Sequence, residues 1–257
     1  MAKKIDSKTL DRLVEDLRAA HGENLASIVL YGSVAAGDHI DLRSDHNLLI
    51  ALNRIAADDL RLSETAMRDW RGLGQPLPVY FTLEELKRAA DVFPIEFLQM
   101  EKARRVLYGR DPFEFVDISS ANLRHQTEYE LRTKLIQLRR LYIPASTSVE
   151  KLSALMRDSL ASFAALFRAA LILHGEEPPV SKAETVRATV RLLDLEGSPF
   201  EQILELRAKP GATLSETEAN NLFSAYMAQI ERVIEAVDRV DSKGLQNRDS
   251  DRMPASK

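Results

Sequence analysis

Two short apolar stretches and the polar connection between them decide the fold of this chain of 257 residues. The first reads IVLYGS at residues 28–33, and the second reads SDHNLLI at residues 44–50. Each apolar run has the length typical of a buried strand, and the glycine and serine that end the first are typical of a tight turn. The pattern predicts two strands whose ends bring together a glycine, a hydroxyl, one carboxylate and one carboxamide. That set of groups suits a phosphate and metal site.

The composition is that of an ordinary globular protein, with 45% hydrophobic and 29% charged residues. A net charge of -4 gives no global signal for nucleic-acid binding. The absence of cysteine excludes disulfides, thiolate metal sites and a cysteine nucleophile. No apolar run is long enough to span a bilayer, and the start lacks the apolar core of a signal peptide. We therefore expect a cytoplasmic protein without a membrane partner.

The first half alternates short strands with helices. Ser7 is the predicted cap of a first helix that ends at Gly22, and Thr82 with Glu85 forms a predicted capping box. A second helix is predicted at residues 56–70. Another is predicted to begin within residues 91–97, with Pro94 in its first turn. Strands are predicted at residues 25–31, 47–52, 76–81 and 105–109.

From Ser119 onward long helical periods replace strand formers. A helix at residues 149–173 is apolar nearly all round in its middle, which predicts a position at the centre of a bundle. Further helices are predicted near residues 181–195, 199–207 and 213–240. The domains predicted from this change are residues 1–117, the helical residues 118–241, and a polar, disordered tail at residues 242–257.

The order helix, strand, Gly-Ser turn, strand, helix, strand over residues 7–110 resembles the nucleotidyltransferase superfamily. That superfamily includes DNA polymerase β, the kanamycin nucleotidyltransferases and the minimal nucleotidyltransferases of bacterial two-gene modules. Its pattern is Gly-Ser, a short connection, then Asp-x-Asp on a strand, with a third acid on a later strand. The matching residues in this chain are Gly32, Ser33, Gly37, Ser44 and Asp45. The resemblance implies an α+β fold: a mixed-sheet nucleotidyltransferase-like domain followed by an all-α helical bundle.

The resemblance also implies a site. In the superfamily pattern two carboxylates on alternate strand residues face divalent metal, and the Gly-Ser turn lets backbone amides approach the phosphates. Asp45 is therefore the candidate catalytic residue and the candidate ligand of a single Mg²⁺. The candidate nucleotide-binding residues are Gly32, Ser33, Gly37, Ser44 and Asn47. His46 alternates to the opposite face, which favours packing over ligation.

The sequence departs from the superfamily pattern in three places. Asn47 stands at the second acid position, the strand at residues 77–81 has no acid, and Ala36 stands at a position that is usually basic. These departures predict that a two-metal mechanism is lost and that nucleotidyl transfer is weak or absent. Three glutamates are alternative acids, although each has a simpler capping or surface role: Glu84, Glu85 and Glu96.

A narrower resemblance is to bacterial proteins that join such a domain to a C-terminal helical bundle. The segments that carry it are DVFPIEF at residues 91–97, VLYG at residues 106–109 and LRHQ at residues 123–126. The group shows the same Asp-x-Asn pattern, which makes this chain a candidate pseudoenzyme of a degenerate group.

In the second half, Arg168 and His174 have the R-x5-H spacing found in HEPN-type RNases. A chance pair near a helix C-terminus is the favoured interpretation, because residues six apart do not share a helix face closely. A basic series is assigned to a solvated face paired with acids, with phosphate contact as the alternative. Its members are Arg124, Arg132, Lys134, Arg139 and Arg140.

Three functional hypotheses follow. The first is a nucleotidyltransferase-fold protein that binds a nucleoside triphosphate or related phosphate ligand, with weak or lost transfer. The second is an active Mg²⁺-dependent nucleotidyltransferase that modifies a hydroxyl of a protein or small molecule. The third is an RNA-acting, HEPN-like helical bundle with a regulatory N-terminal domain. Self-association into a homo-oligomer and binding of a protein partner both stay open.

Overall fold

The computed structural model describes residues 5–32, 34–35, 45–179, 181–208 and 214–240. Predictions that rest on Ser33, Ala36, Gly37, Ser44 or the tail at residues 242–257 lie outside these ranges. The chain divides after Ser119 into two compact units. The first unit is built on a mixed sheet and the second is helical, which confirms the predicted α+β class.

The first unit contains a four-stranded sheet in the order β3-β2-β1-β4. Strand β1 pairs antiparallel with β2 and β4, whereas β2 pairs in parallel with β3, so the sheet is mixed as predicted. In chain order the elements of this unit are α1 (Ser7–His21), β1 (Leu25–Tyr31), β2 (Asn47–Leu52), α2 (Ala57–Leu62), α3 (Glu64–Gly72), β3 (Val79–Thr82), α4 (Leu83–Arg88), α5 (Pro94–Lys102) and β4 (Arg104–Gly109).

The two central strands bury both faces, which is why β1 and β2 are apolar almost throughout. One face packs with residues of α1 and α3 and carries Ile28, Leu30, Leu48, Ile50 and Leu52. The other face packs with residues of α4 and α5 and carries Val29, Leu49 and Ala51. Burial of each large side chain contributes about 1.5–3 kcal/mol, so this hairpin is the rigid base on which its polar ends are held.

Two predictions about the helices of the first unit are wrong. The cap of α1 is Asp6 rather than Ser7, because the Asp6 carboxylate accepts the N–H of Thr9 at 2.8 Å. The helix expected at residues 56–70 is two helices that meet at Ser63. At this break the Ser63 hydroxyl lies 2.7 Å from Nε2 of the buried His21.

The capping box of α4 is confirmed. The N–H of Glu85 donates to the Thr82 hydroxyl at 3.0 Å, and the N–H of Thr82 donates to the Glu85 carboxylate at 2.7 Å. Pro94 lies at the start of α5 as predicted, where its missing N–H costs no helical hydrogen bond.

The second unit is built around one central helix, α7. In chain order its elements are α6 (Ser120–Ala145), α7 (Val149–Leu173), α8 (Lys182–Leu192), α9 (Ser198–Ala208) and α10 (Glu216–Asp238). Helix α7 contacts each of the other four, as its nearly uniform apolar middle predicts. Its Phe163 and Phe167 are buried against Phe200 and Tyr226 in edge-to-face contacts. Throughout the described part of the chain, every helix is too short or too polar to cross a bilayer.

Candidate functional site

Gly32 and Asn47 meet where β1 ends and β2 begins. The backbone of Gly32 has φ +87°, a left-handed conformation that glycine adopts without steric cost. Its N–H donates to the carbonyl of Ala103 at 2.9 Å, and its carbonyl accepts the N–H of Ala35 at 3.0 Å, so the predicted turn is present. A Cβ at Gly32 would lie 3.3 Å from Nδ2 of Asn47. The glycine therefore leaves space directly beside the carboxamide.

Three polar side chains form a row across neighbouring strands at this end of the sheet. Tyr31 pairs with Asn47 on one side and with Arg104 on the other, and directly opposite residues place their side chains on the same face. Burial raises the pKa of the Tyr31 phenol above its ordinary value. The sequence pattern did not single out Tyr31 or Arg104, because only the strand register brings them beside Asn47.

The guanidinium of Arg104 is held in place by three contacts. Its Nε donates to a carboxylate oxygen of Asp111 at 2.7 Å, and it also donates to the carbonyl of Glu101. It lies over the ring of Phe113, 5.4 Å from the centroid. The side chain stays 22% exposed, and its charge is balanced by the carboxylate of Asp111.

Asp45 and His46 precede β2 and face different surroundings. Asp45 is exposed. The N–H of His46 donates to the side-chain carbonyl of Gln75 at 2.9 Å, and its ring meets Trp70 edge-on with centroids 6.3 Å apart. Trp70 belongs to the cluster on the α1 and α3 face, so His46 packs on that side of the sheet. The structure thus places Asn47 beside Gly32 and packs His46 against Trp70, and the role of Asp45 stays a prediction.

Two of the three alternative acids have partners within α4 and its cap. Glu85 caps α4 through the N–H of Thr82, and Glu84 accepts a hydrogen bond from Nε of Arg88 at 3.0 Å. Glu96 is exposed on α5. Strand β3, where the third acid of the superfamily pattern is expected, reads VYFT and carries no carboxylate.

Two side chains of the predicted metal site are described, Asp45 and Asn47, and metal binding by them stays a prediction. Within the described ranges, no three side chains of the His, Asp or Glu type lie close enough together to hold a metal. Asp45 and the carboxamide oxygen of Asn47 supply one charged and one neutral oxygen. Mg²⁺ commonly binds through one or two protein oxygens and completes its coordination with water and substrate phosphates. A second ion would need a further carboxylate to balance its charge.

Arg168 and His174 both bind backbone carbonyls near the end of α7. The Arg168 guanidinium donates to the carbonyl of Pro179, and burial lowers the pKa of this arginine. Nδ1 of His174 donates to the carbonyl of Ala170 at 2.8 Å, which leaves Nε2 as the unprotonated nitrogen of the neutral ring. These contacts give each residue a structural role, and RNA cleavage stays a prediction.

Three arginines of the basic series on α6 pair with acids. Arg124 and Arg132 lie 3.1 and 2.8 Å from the carboxylate of Glu128, and Arg139 pairs with Glu231. Arg132, and then Arg124, hold the pKa of Glu128 below its usual value. For these three arginines the favoured interpretation, a face paired with acids, is confirmed.

The described architecture is a mixed four-stranded sheet with flanking helices, followed by a helical unit. In the comparison with solved structures, the chain is similar to spectinomycin adenyltransferase AAD(9) from Enterococcus faecialis, whose crystal structure holds ATP and spectinomycin. The match covers 91% of this chain and 100% of that chain, with a TM-score of 0.53 and 13% sequence identity. No protein-family model and no curated protein matches the sequence. The likeness shows a shared fold, and the superfamily and the narrower bacterial group both stay predictions.

Proposed function

We propose that the protein binds a nucleoside triphosphate, or a related phosphate ligand, where β1 ends and β2 begins, and that its nucleotidyl transfer is weak or lost. The observation that carries this proposal is the position of Asn47 beside the open side of Gly32, where a Cβ would lie 3.3 Å from Nδ2 of the carboxamide. A left-handed glycine beside a carboxamide, at the end of a buried hairpin, lets a phosphate approach the backbone without meeting a side chain. The likeness to a nucleotidyltransferase solved with ATP supports the choice of ligand.

The charges at the site favour binding over chemistry. Asp45 supplies one carboxylate, which suits one Mg²⁺ between protein and phosphates. Arg104 lies at the end of the same row with its guanidinium paired to Asp111, so a bound phosphate would share this arginine with that carboxylate. Transfer requires groups that bind the transition state more tightly than the ground state. A second metal ion would supply this extra stabilisation of the transition state. The neutral side chain of Asn47 does not balance the charge of such an ion.

We assign Ser33, Gly37 and Ser44 to the same phosphate site. They match the superfamily pattern in type and spacing, and they lie in the connection between β1 and β2. Their assignment rests on sequence, since all three are outside the described residues.

The second candidate is an active Mg²⁺-dependent transferase that acts on a small-molecule hydroxyl. One observation favours it: the similar structure of AAD(9) contains both ATP and spectinomycin. In this candidate Asp45 is the metal ligand and the acceptor hydroxyl lies against the bound nucleotide. The RNA-acting alternative has its own test, which is RNA cleavage that disappears in His174→Ala.

Titration calorimetry with ATP, GTP, CTP and UTP in the presence of Mg²⁺ tests the proposal. We expect saturable binding of at least one nucleotide, weaker binding by Asp45→Asn, and unchanged binding by Asp11→Asn. Asp11 is an exposed acid on α1 and serves as the matched control. If none of the four nucleotides binds, both nucleotide hypotheses are wrong.

A transfer assay separates binding from catalysis. Under the leading proposal, labelled nucleotide is not transferred by the wild-type protein, and Asn47→Asp increases the Mg²⁺ dependence of nucleotide binding by adding the second carboxylate. Transfer by the wild type that disappears in Asp45→Asn would establish the second candidate instead.

A further inference from the structure

A cavity of about 370 Å³ lies between α1 and α3, and its lining includes neither Gly32 nor Asn47. Its volume falls in the lower part of the range of small-molecule sites. The floor is apolar and consists of Leu13, Ala66, Trp70 and Leu73. Trp70 lies at the back of this lining: it is 1% exposed, and its indole N–H already donates to the carbonyl of Pro76 at 2.9 Å.

On the α1 side of the cavity, the positive and negative side chains lie beside one another. Nε of Arg12 lies 3.8 Å from the carboxylate of Asp16. Hydrogen bonds from Thr9, and then the charge of Lys8, hold the pKa of Asp6 below its usual value. Each of the two cations on this side therefore has a carboxylate beside it.

The α3 side has an unbalanced negative charge. Asp69 lines the cavity and is exposed, and among the described residues it forms no ion pair. The nearby Arg68 is bound to Glu64 at 3.1 Å, so it does not neutralise Asp69. The cavity thus combines an apolar floor with one free carboxylate at its edge.

We propose that this cavity is a second ligand site, which binds a small amphipathic amine. The apolar part of the ligand lies against Leu13 and Leu73, and its ammonium group pairs with the carboxylate of Asp69. Burial of hydrocarbon supplies about 25 cal/mol per Å², and the ion pair selects a cation over neutral or anionic compounds of the same shape. The proposal is independent of nucleotide binding.

Titration of the full-length protein with 2-phenylethylamine, followed by NMR of the backbone amides, tests the proposal. We expect saturable shifts at Leu13 and Leu73, with a dissociation constant of about 1 mM or tighter. The amide of His46 is expected to shift too, because its ring packs on Trp70. Two compounds serve as matched probes: 2-phenylethanol, expected to bind about threefold to fivefold more weakly, and 3-phenylpropionate, expected to bind more weakly still.

Variants of Asp69 give the decisive comparison. Asp69→Asn should weaken binding of the amine about threefold to fivefold and leave 2-phenylethanol unaffected, while Asp69→Lys should reverse the preference between amine and carboxylate. Asp11→Asn, an exposed charge change on α1 away from the cavity lining, should change nothing. The proposal is overturned if the amine does not saturate, if all three compounds bind equally, or if Asp69→Asn binds the amine as the wild type does.

Discussion

Gly32 shows how one residue can serve both the fold and a site. Its φ of +87° would cost an L-residue about 1–2 kcal/mol, and its missing Cβ leaves room beside Asn47. We expect Gly32→Ala to lower the free energy of unfolding by about that amount and to weaken nucleotide binding, because the new methyl group lies 3.3 Å from the carboxamide. Denaturant unfolding and calorimetry measure the two effects.

Gly72→Ala is the matched control for Gly32→Ala. Gly72 is the last residue of α3, and a Cβ there would have no atom within 4 Å. The Gly72→Ala protein should keep the stability and the nucleotide binding of the wild type. A Gly32→Ala protein that behaves in the same way would contradict the role given to Gly32.

His21 couples stability to pH. Its burial lowers its pKa from the ordinary value of 6.5, and the charge of Asp59 offsets this only in part. The unfolded chain therefore binds a proton more readily than the folded chain. The stability that depends on neutral His21 is fully present above about pH 6.5. It is lost as the pH falls through the lower pKa that His21 has in the folded protein.

The measurement is the free energy of unfolding between about pH 7 and pH 5. We expect it to fall with decreasing pH in the wild type and to fall less steeply in His21→Gln. His125→Gln, which changes an exposed histidine on α6, should keep the wild-type slope. Equal slopes for the His21 variant and the wild type would refute this assignment.

At the scale of elements, Thr82 joins β3 directly to α4. It is the last residue of the strand and the N-cap of the helix. Thr82→Ala should destabilise the protein by about 1 kcal/mol because it leaves the N–H of Glu85 without its cap. Thr82→Ser keeps the hydroxyl and should remain close to the wild type in urea unfolding. If the alanine and serine variants are equally stable, the cap contributes nothing.

The elements that the sequence predicts well are those whose pattern is local. The bounds of β1, β2 and α7 agree with the apolar runs from which they were predicted. The break at Ser63 coincides with a contact to His21, 42 positions away, which no local pattern records. The row of Tyr31, Asn47 and Arg104 depends in the same way on strand register. The sequence therefore predicts the turn of the candidate site but not the tyrosine and cation beside it.

At the scale of the whole molecule, each of the two units has its own buried core. The first is centred on β1 and β2, and the second on the aromatic residues around α7. We propose that residues 1–117 and 118–241 are domains that fold independently. Each should unfold cooperatively as a separate chain in circular dichroism, with the second more helical than the first.

A fragment that ends at residue 75, and so lacks β3 and β4, is the control and should not fold. If neither half folds alone, the two units are parts of one domain.

The likeness to AAD(9) extends over both units, since it covers 91% of the chain. A shared fold does not establish a shared activity, because activity depends on the groups at the site. Here those groups are one carboxylate, one carboxamide and one fixed guanidinium. The comparison of nucleotide binding with nucleotide transfer is therefore the experiment that most directly defines the function of this chain.

Trp70 is the sole tryptophan of the sequence. Its ring contacts His46, the residue between Asp45 and Asn47, and it also forms part of the floor of the α1–α3 cavity. The protein thus carries an intrinsic fluorophore between two proposed ligand sites. Changes in its emission with nucleotide and with amine would report both occupancies in the unlabelled wild-type chain. The order in which the two ligands are added would then show whether one alters the affinity for the other.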